Sequence, residues 1–291
     1  MLQDPILDQF VRQTFAETFQ FINGYLINYQ EFNQQLNNRI KIKAGENEQF
    51  EFDVALDEIY LSSLHGLSKR VRVFSEESAW SGPETADYTV IYDPLCNSSL
   101  AARTFLDAAV GMTFFDSQKQ WLASLIMDYQ TGILGVAQAN GTCFWQIQSE
   151  STVSFERMAA TDLSQAWVVL TLEAVDERLR RHEADEVLDT AKRVISSSGH
   201  IYWLRLAEGT IDAYADPFGG EELYEMFACM VAIQAGCMVT DMTGQPFNPD
   251  EMLGNFEHDR HYRFYPVAAR TASLHQQLLA GLRSAGSKSV D

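Results

Sequence analysis

Basic charge is scarce in this chain. Its 21 Lys and Arg stand against 40 Asp and Glu, a formal net charge of −19 at pH 7. A nucleic-acid binder needs a basic face, and no stretch supplies one, so no nucleic-acid partner is expected. Long apolar runs are missing too. None reaches the roughly 18 residues that a membrane-spanning helix needs, so no membrane partner is expected. The start MLQDPILDQF has no basic segment ahead of an apolar one and does not read as a secretory signal. Only Cys96, Cys143, Cys229 and Cys237 carry thiols, and no two form a CxxC pair, so the usual signature of a zinc site is absent. These features suit a cytoplasmic protein with reduced thiols. No internal repeat appears, and no linker rich enough to divide the chain.

What is present is ordinary for a globular protein: 46% hydrophobic and 21% charged residues over 291 positions, ample for a large core. The acidic excess has two readings, solubility or acids gathered around metal ions, and net charge does not decide between them. Asp4–Leu36 reads as a helix, with Leu7, Val11, Phe15, Phe19, Ile22 and Leu26 making one apolar stripe. Asp53–Leu67 reads as a second, ending near Gly66. Val71–Phe74 and Tyr88–Tyr92 are short β-rich runs that deliver Glu76/Glu77 and Asp93 at their ends. GMTFFD, WLASLIMD, GILGVAQ, AWVVLTL and IDAYAD read as further strands, with a turn at Tyr129–Gly132. Asp176–Ile195 reads as a charged, solvated helix. Glu222–Gly236 reads as one nearly all-apolar, buried helix stopped by Gly236. Cys237–Phe247 reads as a strand and a Thr-Gly turn. Interleaved helices and hairpin-connected strands imply a mixed α/β or α+β class. The tail Ser284–Asp291 is expected to fray.

The stretch YDPLCNSSL, Tyr92–Leu100, is the most informative. A carboxylate at a strand end, then a proline and small polar residues, makes a turn able to open a helix. With the Glu76/Glu77 strand end it offers oxygen donors to a hard divalent cation and backbone N–H groups to an anion.

The order of segments resembles the inositol monophosphatase family of Mg²⁺-dependent phosphatases. That family has a Glu-Glu strand end, then an Asp-Pro-[Ile/Leu]-Asp-Gly-Thr turn. A late helix follows that starts Trp-Asp-x-Ala-Ala-Gly and ends before a strand and a Gly turn. Here SEES (Ser75–Ser78) and DPLCNS (Asp93–Ser98) match the first two. AQANGTCFWQ, LAEGTIDAYAD, LYEMFACMVAIQAG and VTDMTGQPF follow in the same order. The likeness runs from about Lys41 to Phe247. It implies a layered αβαβα sandwich in a single domain, with an N-terminal α+β half to about residue 150 and an α/β half from 151 to 283. It also implies metal-assisted hydrolysis of a phosphate monoester and a homodimer, for which GMTFFD and FACMVAI offer apolar surface.

Carried over residue by residue, the first Mg²⁺ falls to Glu76, Asp93 and the backbone carbonyl of Leu95. Ser98 takes the place of the water-positioning Thr, with Glu76 beside it, and Asp57 that of the acid supporting this hydroxyl. Backbone N–H groups of Asn97 and Ser98, with Ser99 next to them, fall to the substrate phosphate of a small phosphorylated alcohol or sugar. The second cation has lost its acids. Cys96 stands for one, and Tyr224 for the other by a gap-free count from Gln234–Gly236. A thiolate suits Zn²⁺ better than Mg²⁺, and a phenol is neutral at pH 7. Glu225, Glu221 or Glu222 would substitute only after a slip in register. Asn97 replaces the family's Gly and tolerates positive φ better than most residues. Two functions follow: a divergent phosphatase with a weakened second site, or a non-catalytic relative that binds or assembles. Cys96 as a nucleophile, Ser196–His200 as a catalytic pair, and His258 with His261 as metal ligands all lack supporting partners in the sequence. A silent cysteine and a solvated helix end account for them more simply.

Overall fold

The structure is a computed structural model that describes residues 2–27, 39–41, 49–98, 107–172, 184–218 and 220–286. It divides into two compact units, Met1–Val153 and Ser154–Asp291.

The first unit opens with α1 (Pro5–Ile27). Asp4 starts it: its carboxylate accepts from the N–H groups of Ile6 and Leu7 at 2.9 and 3.3 Å, and Pro5 sits at the first helical position. The second carboxylate oxygen accepts from the Tyr88 hydroxyl at 2.5 Å, so the cap is tied to the sheet. β1 (Arg39–Lys41) and β2 (Gln49–Phe50) pair antiparallel, and α2 (Glu51–His65) follows. Next come β3 (Val71–Ser75), β4 (Ala79–Ser81), β5 (Tyr88–Cys96), β6 (Ala109–Asp116), β7 (Trp121–Asp128), β8 (Ile133–Gln138), β9 (Gly141–Gln146) and β10 (Ser151–Val153). They form one eight-stranded sheet in the order β10-β9-β8-β7-β6-β5-β3-β4. Alternate residues of the strands, such as Val71 and Val73, Val90 and Tyr92, Val110, Met112 and Phe114, share one core with Val11, Phe15 and Phe19 of α1 and Leu56 and Tyr60 of α2. Each fully buried side chain of this kind contributes about 1.5–3 kcal/mol.

Neighbours in this sheet are antiparallel except β3 and β5, which run parallel with Ser75 opposite Tyr92. That exception positions the site. Antiparallel neighbours finish at opposite edges, whereas this pair finishes at the same edge, so Glu76 and Asp93 follow matched residues.

The second unit holds the five-stranded sheet β12-β11-β13-β17-β15. Its strands are β11 (Trp167–Leu170), β12 (Arg193–Ser196), β13 (Ala213–Ala215), β15 (Met238–Asp241) and β17 (Pro266–Ala269), and the first three strands in spatial order are mutually parallel. β14 (Glu221–Glu222) and β16 (Arg263–Phe264) pair separately. The helices are α3 (Asp185–Thr190), α4 (His200–Glu208), α5 (Leu223–Met226), α6 (Met230–Gln234), α7 (Pro249–His258) and α8 (Ala272–Gly286). Leu274, Leu278 and Leu282 of α8 pack with Val168, Leu170, Ala213 and Val267 of the sheet.

Three expectations are corrected. The charged helix over 176–195 is helical only at Asp185–Thr190 within the described residues. Arg193–Ser196 is a strand, because Val194 and Ile195 gain a parallel ladder against Val168 and Val169 that outweighs local preference. The buried helix over 222–236 is broken. Glu221–Glu222 is strand, and a 3₁₀ turn at Phe227–Cys229 separates α5 from α6. The segments expected to offer apolar dimer surface are interior instead: Phe114, Phe115, Phe227 and Val231 are each 0% exposed. The N-terminal helix is seen to Ile27, and its expected continuation through 28–36 lies outside the described residues. So do Ser99 and the tail beyond 286.

Candidate functional site

The two strand ends are fastened by one carboxylate. Asp57, in the second turn of α2, is buried and accepts from the Ser75 hydroxyl and the Tyr92 hydroxyl, both at 2.5 Å on Oδ1. Ser75 immediately precedes Glu76, and Tyr92 immediately precedes Asp93. Ser75 Oγ also accepts from the Glu77 N–H at 3.2 Å, and the Glu76 N–H donates to the Tyr92 carbonyl at 3.2 Å. Asp57 thus fixes the residue before each candidate ligand. Burial, with the Asp57 charge beside it, raises the Tyr92 hydroxyl far above its usual range, so it stays a donor. The hydroxyls that Asp57 holds are those of Ser75 and Tyr92, and Ser98 is not among them.

Asp93 is buried, and its Oδ1 accepts from the Leu95 N–H at 2.9 Å. The carbonyl between them, that of Pro94, accepts from the Tyr129 hydroxyl at 2.7 Å. Tyr129 meets the Tyr60 hydroxyl at 3.1 Å, and Tyr60 meets Thr18 Oγ1 at 3.1 Å. Thr18 Oγ1 lies 3.0 Å from the Thr14 carbonyl of α1, and three hydroxyl protons are shared among these four contacts. A buried file of hydroxyls therefore runs from the first helix to the turn. Burial raises both phenols, Tyr129 with added repulsion from Tyr60 and Asp93, and keeps them protonated.

The turn itself contains a β-bulge. Asp93 faces Gly111 on β6 while Cys96 faces Ala109, three steps against two. Cys96 is buried. Asn97 follows at φ 64, the left-handed region, and its amide donates to the Asp107 carbonyl at 3.3 Å. Asn supplies here the conformation expected of Gly. Ser98 is half-buried with helical backbone at the edge of the described residues.

In the second unit, the acids considered as substitute ligands have partners of their own. Glu221 is buried. It accepts from the Tyr214 hydroxyl and, at 3.3 Å, from Trp203 Nε1, and burial pushes its carboxyl up to about 8. Glu222 is paired with Arg263 at 2.9 Å. Glu225 is half-buried and Tyr224 buried in α5. His200, at the start of α4, is brought down to about 4 by burial, which outweighs backbone contacts from Glu225 and Tyr224, and it stays neutral. His258 ends α7, and His261 lies in the exposed turn after it, 3.8 Å from Glu222.

Sequence reading missed Ser75, Tyr92, Tyr129 and the Trp203–Tyr214–Glu221 cluster. The first two had a signal in hindsight, since each directly precedes a strand-end acid. Tyr129 had none, because its partner lies 35 residues away.

The family model of the inositol monophosphatase family matches residues 9–285. The chain belongs to that family, whose phosphatases use divalent metal ions. Solved structures agree on the fold. Extragenic suppressor protein suhB from Bartonella henselae shares 15% identity at a TM-score of 0.75, with 98% of this chain and 99% of that one covered. Inositol monophosphatase II from Staphylococcus aureus gives 12%, 0.70, 94% and 92%. A Pyrococcus horikoshii protein described as similar to inositol-1 monophosphatase gives 18%, 0.67, 91% and 96%. A comparison with curated proteins by sequence found no match. Among the described residues no helix is long and apolar enough to cross a membrane.

By chemistry the acids Glu76 and Asp93, which follow the paired residues Ser75 and Tyr92, and a turn carbonyl are the oxygen donors that a divalent ion takes. A thiol such as that of Cys96 is a poor donor for Mg²⁺.

Proposed function

We propose that this chain is a divergent phosphatase of small phosphate monoesters, an inositol or sugar phosphate, with one divalent cation, Mg²⁺, in place of two. Glu76, Asp93 and the Leu95 carbonyl hold it. Backbone N–H groups at Asn97 and Ser98, with Ser99 beyond them, bind the phosphate, and Ser98 and Glu76 position the attacking water. When bound, a cation polarises the phosphoryl group and offsets developing charge. Asp57 acts by fixing both strand ends. The supporting observation is the parallel register of Ser75 with Tyr92, which sets Glu76 and Asp93 at one edge of the sheet. Structures of SaIMPase-II are described with inositol monophosphate and with 2'AMP bound, which supports a phosphate ester as ligand. We place the protein in the cytoplasm as a homodimer.

A second reading, a non-catalytic binding or assembly module, draws on Cys96 and Tyr224 standing where acids are expected. It draws also on Glu221 and Glu222 being engaged by other side chains.

Calorimetric titration with Mg²⁺, Mn²⁺ and Zn²⁺, followed by a phosphate-release screen, separates the two. Losing the second cation removes several kcal/mol of charge stabilisation. At about 1.36 kcal/mol per decade this is on the order of a thousandfold in rate, so slow release is expected. Cation binding with no release from any ester supports the second reading. Turnover in the ordinary range of about 1–1000 per second would overturn the assignment of lost ligands.

A further inference from the structure

The bulge in β5 has a chemical consequence. Along a regular strand, residues three apart point to opposite faces. The extra residue between Asp93 and Cys96 cancels that alternation, and a carboxylate oxygen of Asp93 and Sγ of Cys96 lie within 4.8 Å of each other. Asp93 is 1% exposed and Cys96 3% exposed, so both donors sit away from bulk water. Glu76 follows Ser75 on the neighbouring strand end. The turn therefore presents sulfur and oxygen donors together, where the family resemblance implies oxygen alone.

We propose that the Asp93 turn takes a thiophilic divalent cation, zinc or a metal of like preference, with the Cys96 thiolate and the Asp93 carboxylate as the ligands this turn supplies. A thiolate is a soft donor and favours Zn²⁺ or Co²⁺ over Mg²⁺. Donors from the turn alone do not fill a zinc ion's four positions, and a site that keeps a position open is the arrangement of catalytic rather than structural zinc sites. Binding requires the thiol to give up its proton to solvent, so uptake of the cation releases one proton and strengthens as pH rises. This rests on the phosphatase reading for the open position, but the donor set is testable without it.

The test is a Co²⁺ titration of the whole chain followed by absorption, on wild type, Cys96→Ser and Cys96→Asp. The expected result is a sulfur-to-cobalt charge-transfer band in wild type that Zn²⁺ displaces and Mg²⁺ does not. The band is lost in both variants, and Cys96→Asp gains Mg²⁺ binding. A band that persists in Cys96→Ser, arising from Cys143, Cys229 or Cys237, overturns the proposal, as does a wild-type spectrum without one. X-ray absorption on the wild-type zinc complex needs no variant: a sulfur at about 2.3 Å supports the proposal, and an oxygen-only shell refutes it. Phosphate release decides the phosphatase reading separately. A band without release leaves this inference standing, and release under Mg²⁺ without a band leaves only the phosphatase reading.

Discussion

Replacing Asp57 by alanine is expected to cost far more than its single side chain suggests. The carboxylate is 5% exposed and accepts two hydroxyl protons, from Ser75 and Tyr92, at 2.5 Å each. Hydrogen bonds to a charged group contribute about 1.5–3 kcal/mol each, so the loss is about 3–6 kcal/mol. That is a large part of a typical total stability of about 5–15 kcal/mol. The effect should divide between the partners. Ser75→Ala removes one bond and also the acceptor of the Glu77 N–H. Tyr92→Phe removes one bond and leaves the ring packed. Urea unfolding of the single and double variants forms two thermodynamic cycles with Asp57→Ala, and each should show a coupling above about 1 kcal/mol. The cation titration should weaken in step with Ser75→Ala, which frees Glu76, as well as with Tyr92→Phe, which frees Asp93. An Asp57→Ala effect within about 0.5 kcal/mol, the size usual for surface positions, would refute the idea that Asp57 fastens the two strand ends.

Tyr129→Phe leaves the buried Pro94 carbonyl without its donor and should cost about 1–3 kcal/mol, whereas Tyr60→Phe leaves that bond intact and should cost less. Urea denaturation ranks the two, and the reverse order would contradict Tyr129 as the donor that satisfies the Pro94 carbonyl. Burial pushes the Glu221 carboxyl up to about 8 in the folded chain, from about 4.5 when it is exposed to water. The folded chain therefore binds the extra proton between these values, and Glu221's contribution, complete below about 4.5, fades as pH rises toward 8. Wild type should lose up to about 1.4 kcal/mol per pH unit in that window relative to Glu221→Gln. Parallel pH profiles of the two proteins would show that the carboxyl is ionised throughout. Asn97→Ala should destabilise the turn by about 1 kcal/mol or more and Asn97→Gly should not, because the residue sits at φ 64. Equal stabilities would mean that the turn relaxes.

Much of the first unit was legible because its periodicities are long. The stripe from Leu7 to Ile22 marked α1, and two apolar runs ending in acids marked β3 and β5; Glu76 directly follows β3, whereas β5 continues past Asp93 to Cys96, farther than the run ending at Tyr92 indicated. Asn97 was legible as a tolerated substitute at a left-handed position. Relations between strands were not legible. The bulge that turns Cys96 toward Asp93 exists only as a mismatch between β5 and β6, and neither strand's own pattern records it. The partners of Asp57 were hidden for the same reason, since Ser75 and Tyr92 are 18 and 35 residues away. In the second unit, the apolar run after Glu222 was read as one helix because composition alone does not show the 3₁₀ turn at Phe227–Cys229. Arg193–Ser196 looked solvated and helical beside its charged neighbours, and only the ladder with β11 makes it a strand.

One cation at the ends of two neighbouring strands is the central requirement of a phosphatase built this way. Anomalous diffraction from crystals soaked in Mn²⁺, with a zinc soak in parallel, locates it directly. A single peak contacted by Glu76, Asp93 and the Leu95 carbonyl in the manganese soak, moving toward Cys96 Sγ in the zinc soak, is the predicted result. Two manganese peaks in the turn, or none within reach of Asp93 at millimolar metal, would contradict it.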